Sequence, residues 1–308
     1  MSNVTGPMVK DLRDKTGAGM MDCKAALVET NGDVESAIDW LRKKGLSKAA
    51  KKSSRVAAEG LIGVAVNGDA GALVEVNAET DFVARNDTFK EFVKRAAELA
   101  LEAGGDVDKL LATPHAPGGA SVKETATELV AKIGENISVR RAIALSVSPG
   151  VVATYVHNAS SPELGKIGVL VALKSTADKA KLSALGTQLA MHIAWSAPLA
   201  LTPEHLSAEV VARERAIYAD QARQSGKPEN VVEKMIEGRM RKFYEEAVLL
   251  SQTFVIDGET QISKVLEKAS KDFGAPVSIE AFVRFAVGEG IEKIDGDFAD
   301  EVNKMAGR

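Results

Sequence analysis

Apolar residues recur along this chain with different rhythms, and each change of rhythm marks a region. In residues 5–45 the spacing is helical. Met8 and Leu12 lie four apart in a helix predicted over Pro7–Lys15. Thr16-Gly17-Ala18-Gly19 breaks it, and a second helix is predicted over Met20–Glu29. Asn31-Gly32 turns the chain. Asp33 is a good N-cap for a third helix, with Val34, Ala37, Ile38 and Leu41 as its apolar stripe and Gly45 as its expected stop. Lys43, Lys44, Lys48, Lys51, Lys52 and Arg55 follow among alanines. They read as a solvated linker helix. An RNA-contacting arm is the weaker reading, because the stretch has no aromatic residue on which bases would stack.

The period then changes. Leu61–Val66 and Ala72–Val76 read as strands joined by the hairpin loop Asn67–Gly71. A helix is predicted from near Thr88, with Phe89, Phe92, Val93, Ala96 and Ala100 on its buried face. Further helix is expected over Val122–Ile133 and further strand over Ser138–Val147. The plan returns at Val151–His157 and Ile167–Leu173, strands joined by the loop Asn158–Lys166. A helix follows, carrying Leu182, Leu185, Leu189 and Ile193 on one face. Two related hairpin-plus-helix units, or two that merely share a common motif, both fit.

Residues 202–250 are charged and helical. Thr202-Pro203-Glu204 is a helix start, Ser225-Gly226-Lys227-Pro228 turns the chain, and a second helix runs from Glu229 with Val232, Met235, Ile236, Met240 and Phe243 on one side. A short loop between helices predicts an antiparallel hairpin. Strand character returns at Thr253–Ile256 and Ala281–Val287, and a last helix is predicted near Asp297–Met305. The resulting fold class is α+β. Its parts are a three-helix module with linker (1–55), a first core subdomain (56–148), a second in two pieces (149–200 and 251–275), an inserted helical hairpin (201–250) and a C-terminal module (276–308).

Composition narrows the function classes. Apolar residues make up 45% and charged residues 27%, as in globular proteins, and aromatics only 5%, so the cores must be aliphatic. A net charge of -4 argues against a general nucleic-acid binder. Cys23, the lone cysteine, permits no intramolecular disulfide and reads as a small buried hydrophobe. With no apolar run of membrane-spanning length and no signal-like apolar core at the start, a cytoplasmic chain off the membrane is expected.

Catalytic signatures are missing. There is no phosphate loop, Gly288-Glu289-Gly290 lacks the third glycine of a dinucleotide fingerprint, and no His or Cys pair stands at metal-ligand spacing. No cofactor, metal or enzymatic role is expected. An enzyme with a site dispersed along the chain, such as a hydrolase, stays open, because catalytic groups converge in space. So does a peptide-binding adaptor built on the three-helix module.

The segment Asn77–Asn86 lies between a predicted strand and a predicted helix, where loops carry function. Read locally, Thr80 or Asp81 would cap the coming helix and Phe82 would staple it to the core. Read functionally, the loop presents its side chains to something else.

Several blocks decide between these readings by resemblance. Thr80-Asp81-Phe82-Val83-Ala84 is similar to the signature of the bacterial elongation factor Ts family. So are Thr16–Lys24, Val130–Ile137, Ile167–Val171, Ala190-Met191-His192, Gly226-Lys227-Pro228 and Arg284–Lys293, in the family's order. The loop Asn158–Lys166 is longer than the family leads one to expect. The resemblance implies a ubiquitin-associated-like N-terminal module, a two-part core, a helical dimerisation hairpin and a C-terminal module. It implies a guanine-nucleotide exchange factor of translation elongation that binds elongation factor Tu, both GDP-bound and nucleotide-free, as a homodimer or in a heterotetramer with it. By the same resemblance Thr80, Asp81, Phe82 and Val83 form a wedge that dislocates the partner's Mg²⁺ and so loosens GDP. Met20 and Met21 make a second contact with the partner's GTPase domain, and His157, Val255 and Ile256 face another of its domains.

Overall fold

The structure, a computed structural model, describes residues 4–224 and 226–292. The helix expected near Asp297–Met305 and the end of the Arg284–Lys293 block lie outside the described residues. The chain divides into two compact units. Of the described residues, 4–63, 74–142 and 286–292 belong to the first, and 64–73 with 143–285 to the second.

The first unit opens with α1 (Gly6–Thr16), α2 (Met20–Glu29) and α3 (Val34–Lys52). Val9, Leu12, Cys23, Ala26, Leu27 and Ala37 form their small core. Gly17 ends α1 in the left-handed conformation, and the Asp33 carboxylate caps α3 through the Ser36 N–H. Gly45 does not stop α3, which continues for two more turns. The reason is tertiary: a Cβ at Gly45 would sit 3.1 Å from the Ala131 Cβ, so the glycine lets α3 pack closely on α6 (Val122–Ile133). Packing there outweighs the roughly 1 kcal/mol that glycine costs inside a helix. The basic stretch is therefore docked. Arg42 pairs with Glu124, Lys44 and Lys48 with Asp22, and the Lys52 ammonium donates to the Gly134 carbonyl.

Strands β1 (Glu59–Asn67) and β2 (Ala70–Ala78) form a hairpin about Gly68-Asp69, and β3 (Ile137–Ser146) flanks β2. Between β2 and β3 run α4 (Asp87–Glu102), α5 (Val107–Ala112) and α6. The α4 face expected from sequence is the buried one, with Phe89, Phe92, Val93, Ala96 and Ala100 all inside. A reciprocal Ser121–Glu124 capping box starts α6.

In the second unit β4 (Gly150–His157) pairs antiparallel with β6 (Ile167–Lys174), from Gly150 opposite Lys174 to His157 opposite Ile167. The connecting loop contributes the short β5 (Leu164–Gly165). Helix α7 (Lys179–Ser196) buries Leu182, Leu185, Leu189 and Ile193 in the unit's core. Gly186 permits this approach, since a Cβ there would meet the Ala153 Cβ at 2.4 Å. Helices α8 (Ala208–Arg223) and α9 (Glu229–Ala247) close on their own cluster of Ala222, Val232, Ile236 and Met240. The expected start at Thr202-Pro203-Glu204 forms only a 3₁₀ turn, Pro203–His205, and the Ser207 hydroxyl caps α8 instead.

One more expectation fails in this unit. Thr253–Ile256 is not a strand. Thr253 makes one bridge to Gln261, and Asp257 draws the intervening turn tight by accepting from the Glu259 and Thr260 N–H groups. Helix α10 (Ile262–Phe273) went unpredicted, although Ile262, Val265, Leu266, Ala269 and Phe273 are helically spaced and packed in the core. Finally β7 (Ser278–Ala286), where strand character was expected at Ala281–Val287, joins β6 as the third strand of the sheet β4-β6-β7. The same plan, a strand pair, then helix, then a third strand beside the second, thus occurs twice along the chain. The α+β class stands.

Candidate functional site

The Asn77–Asn86 segment leaves β2 and is pinned at several points. Asn77 lies buried, its amide donating to the Glu59 carbonyl and to Glu75. Glu79 accepts from the Asn136 N–H at 2.6 Å and pairs with Arg55 at 3.3 Å. The Thr80 N–H and hydroxyl both donate to the Glu135 carboxylate, at 2.9 and 2.7 Å. A 3₁₀ turn, Val83–Arg85, then tucks Val83 and Ala84 inside. The Asn86 side chain accepts from the Phe89 N–H and starts α4.

The local reading of this loop is thereby overturned. Neither Thr80 nor Asp81 caps α4, because Asn86 is one residue before it and reaches its free N–H groups. Phe82 is no staple: it is 71% exposed, between neighbours that are anchored. The Arg85 guanidinium lies over its ring, 5.8 Å from the centroid, and Arg85 also pairs with Asp81 at 3.3 Å. The four residues Thr80 to Val83 therefore divide. Asp81 and Phe82 face outward, whereas Thr80 is engaged by Glu135 and Val83 is only 4% exposed.

Met20 and Met21 open α2, and both are exposed. Their neighbour Asp22 is held by Lys48 at 2.7 Å and Lys44 at 3.2 Å. The bond from Lys48 pulls its carboxyl below the ordinary range against the opposing effect of burial, and Lys44 adds to the pull. Gly17–Gly19, just before Met20, and Asn86 and Thr88, just after the Phe82 turn, line one cleft of about 440 Å³ with Arg13 and Lys132. The methionines and the phenylalanine thus project from segments bordering the same cleft.

In the second unit His157 ends β4 on the surface, its Nδ1 3.2 Å from the Tyr155 hydroxyl. Val255 and Ile256 are exposed on the tight turn after Thr253. A buried histidine supports that turn. His192 Nδ1 accepts from the Val255 N–H at 3.2 Å, which leaves Nε2 to donate to Gln252 Oε1 at 2.9 Å. Burial lowers the His192 pKa, outweighing the Gln252 hydrogen bond that raises it. Ser196 donates to the same Gln252 oxygen, and the Gln252 amide donates to the Glu246 carbonyl.

Sequence reasoning missed several residues. Glu135 and His192 each lie inside a block singled out for resemblance, yet nothing in the spacing ties them to Thr80 or Val255. Trp195, 79% exposed at the end of α7, and Leu199 beyond it are large apolar residues on the surface. Continuing the α7 stripe past Ile193 would have shown Trp195 off the buried face. Glu75 is fully buried yet charged. It is held by Arg140, Arg141, Asn77 and the Gly288 N–H. Burial raises its pKa, but the Gly288 N–H, Asn77 and Arg141 bring it below the ordinary range on balance. Among the described residues no group of three or more His, Cys, Asp or Glu could hold a metal ion, and no helix is long and apolar enough to cross a membrane.

Comparison with known proteins agrees with the residue blocks. A family model described as Elongation factor TS matches residues 79–289, from the loop residue Glu79 to Glu289 beyond β7. An elongation factor Ts from Rhodospirillum centenum is 61% identical over 307 residues, covering all of both chains. One from Rhodospirillum rubrum is 59% identical over 98% of each, and one from Maricaulis maris 55% identical over the full length of both. The exposed Phe82, its pinned loop and the two strand-pair units therefore sit in a chain similar to these proteins from end to end, and the chain belongs to the elongation factor Ts family.

Proposed function

We propose that this chain is a guanine-nucleotide exchange factor for elongation factor Tu, acting in the cytoplasm during translation elongation and forming no covalent intermediate. It binds the GDP-bound partner, loosens GDP and leaves a nucleotide-free complex that GTP then resolves. Phe82 carries the reading: a large apolar ring held out in solvent on a turn whose neighbours are fixed. Exposing such a ring is unfavourable unless a partner covers it, and full burial of a phenyl side chain contributes about 1.5–3 kcal/mol.

In this mechanism Phe82 enters an apolar pocket of the partner's GTPase domain and Asp81 hydrogen-bonds beside it. The displacement disturbs the bound Mg²⁺, whose strict octahedral geometry tolerates little movement of its ligands. Val83 serves from inside by fixing the turn. Met20 and Met21 make a second contact with the GTPase domain, while His157, Val255 and Ile256 grip another domain. Linkage requires the dispersed contacts. If GDP and this chain weaken each other's binding by a common factor, each tenfold costs roughly 1.4 kcal/mol of differential interaction. One ring cannot supply many decades. The α8–α9 hairpin serves self-association, in a homodimer or a heterotetramer with the partner. The test is release of fluorescent GDP from elongation factor Tu with and without this chain; an unchanged release rate refutes the proposal.

A further inference from the structure

The wedge reading leaves one feature unused. The Gly134-Glu135-Asn136 turn, which links α6 to β3, is laced to the Phe82 loop from both sides. Glu135 accepts two hydrogen bonds from Thr80 and Glu79 accepts one from the Asn136 N–H. The turn is itself fixed. Gly134 ends α6 in the left-handed conformation, its carbonyl accepts from Lys52, and the Asn136 amide donates to the Arg55 carbonyl at 2.8 Å.

From this geometry we infer that Glu135 is the positioning residue of the exchange loop, and that Thr80 acts on Glu135 inside the protein instead of on the partner. The inference rests on Phe82 being the wedge. A carboxylate that grips an N–H and a hydroxyl of one residue fixes both the backbone and the side chain there, and bonds to a charged acceptor are the stronger kind. Thr80 stands two residues before Phe82, and Val83 is buried one residue after it. The ring is thus bracketed by a polar anchor and an apolar one. Without the polar anchor the segment from Thr80 to Phe82 gains freedom that must be lost again on binding. That cost falls on the step in which Phe82 pushes, because a loose loop yields where a fixed one transmits.

The geometry also predicts which replacement succeeds. Gln at position 135 keeps an oxygen for the Thr80 N–H and offers an amide N–H to the Thr80 hydroxyl oxygen, so both bonds survive with one donor reversed. Ala keeps neither. The experiment measures GDP release from elongation factor Tu at saturating exchange factor for wild type, Glu135→Ala, Glu135→Gln, Phe82→Ala and the double variant Phe82→Ala/Glu135→Ala. Glu135→Ala is expected to slow release about tenfold, the scale of a lost charge-assisted contact. Glu135→Gln should restore most of the rate. The double variant should be no slower than Phe82→Ala, because Glu135 acts only through the ring. Wild-type release by Glu135→Ala, or additive losses in the double variant, overturns the inference while leaving the wedge in place. Wild-type release by Phe82→Ala removes the wedge and the inference together. Should Glu135→Ala fail to fold, Thr80→Val takes its place: it deletes the 2.7 Å bond alone, and its release at the wild-type rate overturns the inference equally.

Discussion

Replacing Phe82 with alanine should separate folding from function. In the free protein less than a third of the residue is covered. Full burial of a phenyl side chain is worth about 1.5–3 kcal/mol, so the part already covered is worth about 1 kcal/mol at most. The Arg85 contact adds no more than about 0.5–1 kcal/mol at so exposed a site. Folding stability should therefore fall by about 1–2 kcal/mol or less. Phe89 is the internal control: seven residues on and fully buried, it should cost about 3–5 kcal/mol when cut to alanine. In the complex the balance reverses. A buried aromatic anchor loses on the order of 2 kcal/mol on truncation, or roughly thirtyfold. Phe82→Ala should thus slow stimulated GDP release tenfold or more (about 1.4 kcal/mol per decade), with a urea midpoint close to wild type. Affinity for nucleotide-free partner should fall less than exchange, because Met20, Met21, His157, Val255 and Ile256 are untouched. The reasoning is refuted if Phe82→Ala releases GDP at the wild-type rate, or if its midpoint drops as far as that of Phe89→Ala.

Glu75→Ala should destabilise the protein by about 3 kcal/mol, since Arg140, Arg141 and the Gly288 N–H lose a common buried acceptor; urea titration measures it, and a loss below 1 kcal/mol contradicts the assignment. Because the Glu75 pKa is lowered on folding, its contribution is present above the unfolded carboxyl value and fades as pH falls through the lower folded one. His192 works the other way round in charge but loses stability in the same direction. Neutral and buried, it leaves stability unaffected above about pH 6.5, where the unfolded imidazole is also neutral, and lowers it as the unfolded chain takes up a proton below that. A His192→Phe variant should show a flatter dependence of the urea midpoint between pH 7.5 and 5.5; an unchanged slope counts against the neutral assignment. Exchanging residues 205–246 for a short Gly/Ser turn should abolish self-association in light scattering and keep both the fold and most exchange activity. The base of the hairpin is clipped independently, with the Leu199 N–H on the Ala247 carbonyl and the Leu249 N–H on the Ala200 carbonyl, both at 2.8 Å. Loss of cooperative unfolding in that variant would show the hairpin to be part of the core.

What the sequence determined by itself was local. Helix α2 runs from Met20 to Glu29 as its breakers dictate, Val122–Ile133 is delimited by the Ser121–Glu124 box and Gly134, and the α4 and α7 stripes face inward as their spacing requires. Such signals lie within a turn or two of the residues they govern, so neighbours suffice to read them. The signature around Phe82 was legible as well, though only by resemblance. What tertiary structure decided was every feature whose cause lies far along the chain. Gly45 sits inside a helix where α3 packs closely on Ala131, Thr253–Ile256 turns instead of extending because His192 and Gln261 hold it, and β7 becomes a third strand because β6 offers it a free edge. Phe82 follows the same division. Its place in the chain marks a loop, but the turn that carries it is bonded through Thr80 to Glu135, 55 positions on, and buries Val83 at a site that only the folded unit supplies. Spacing along a chain records which residues share a face; it carries no distance between faces, and the Phe82 turn is made of such distances.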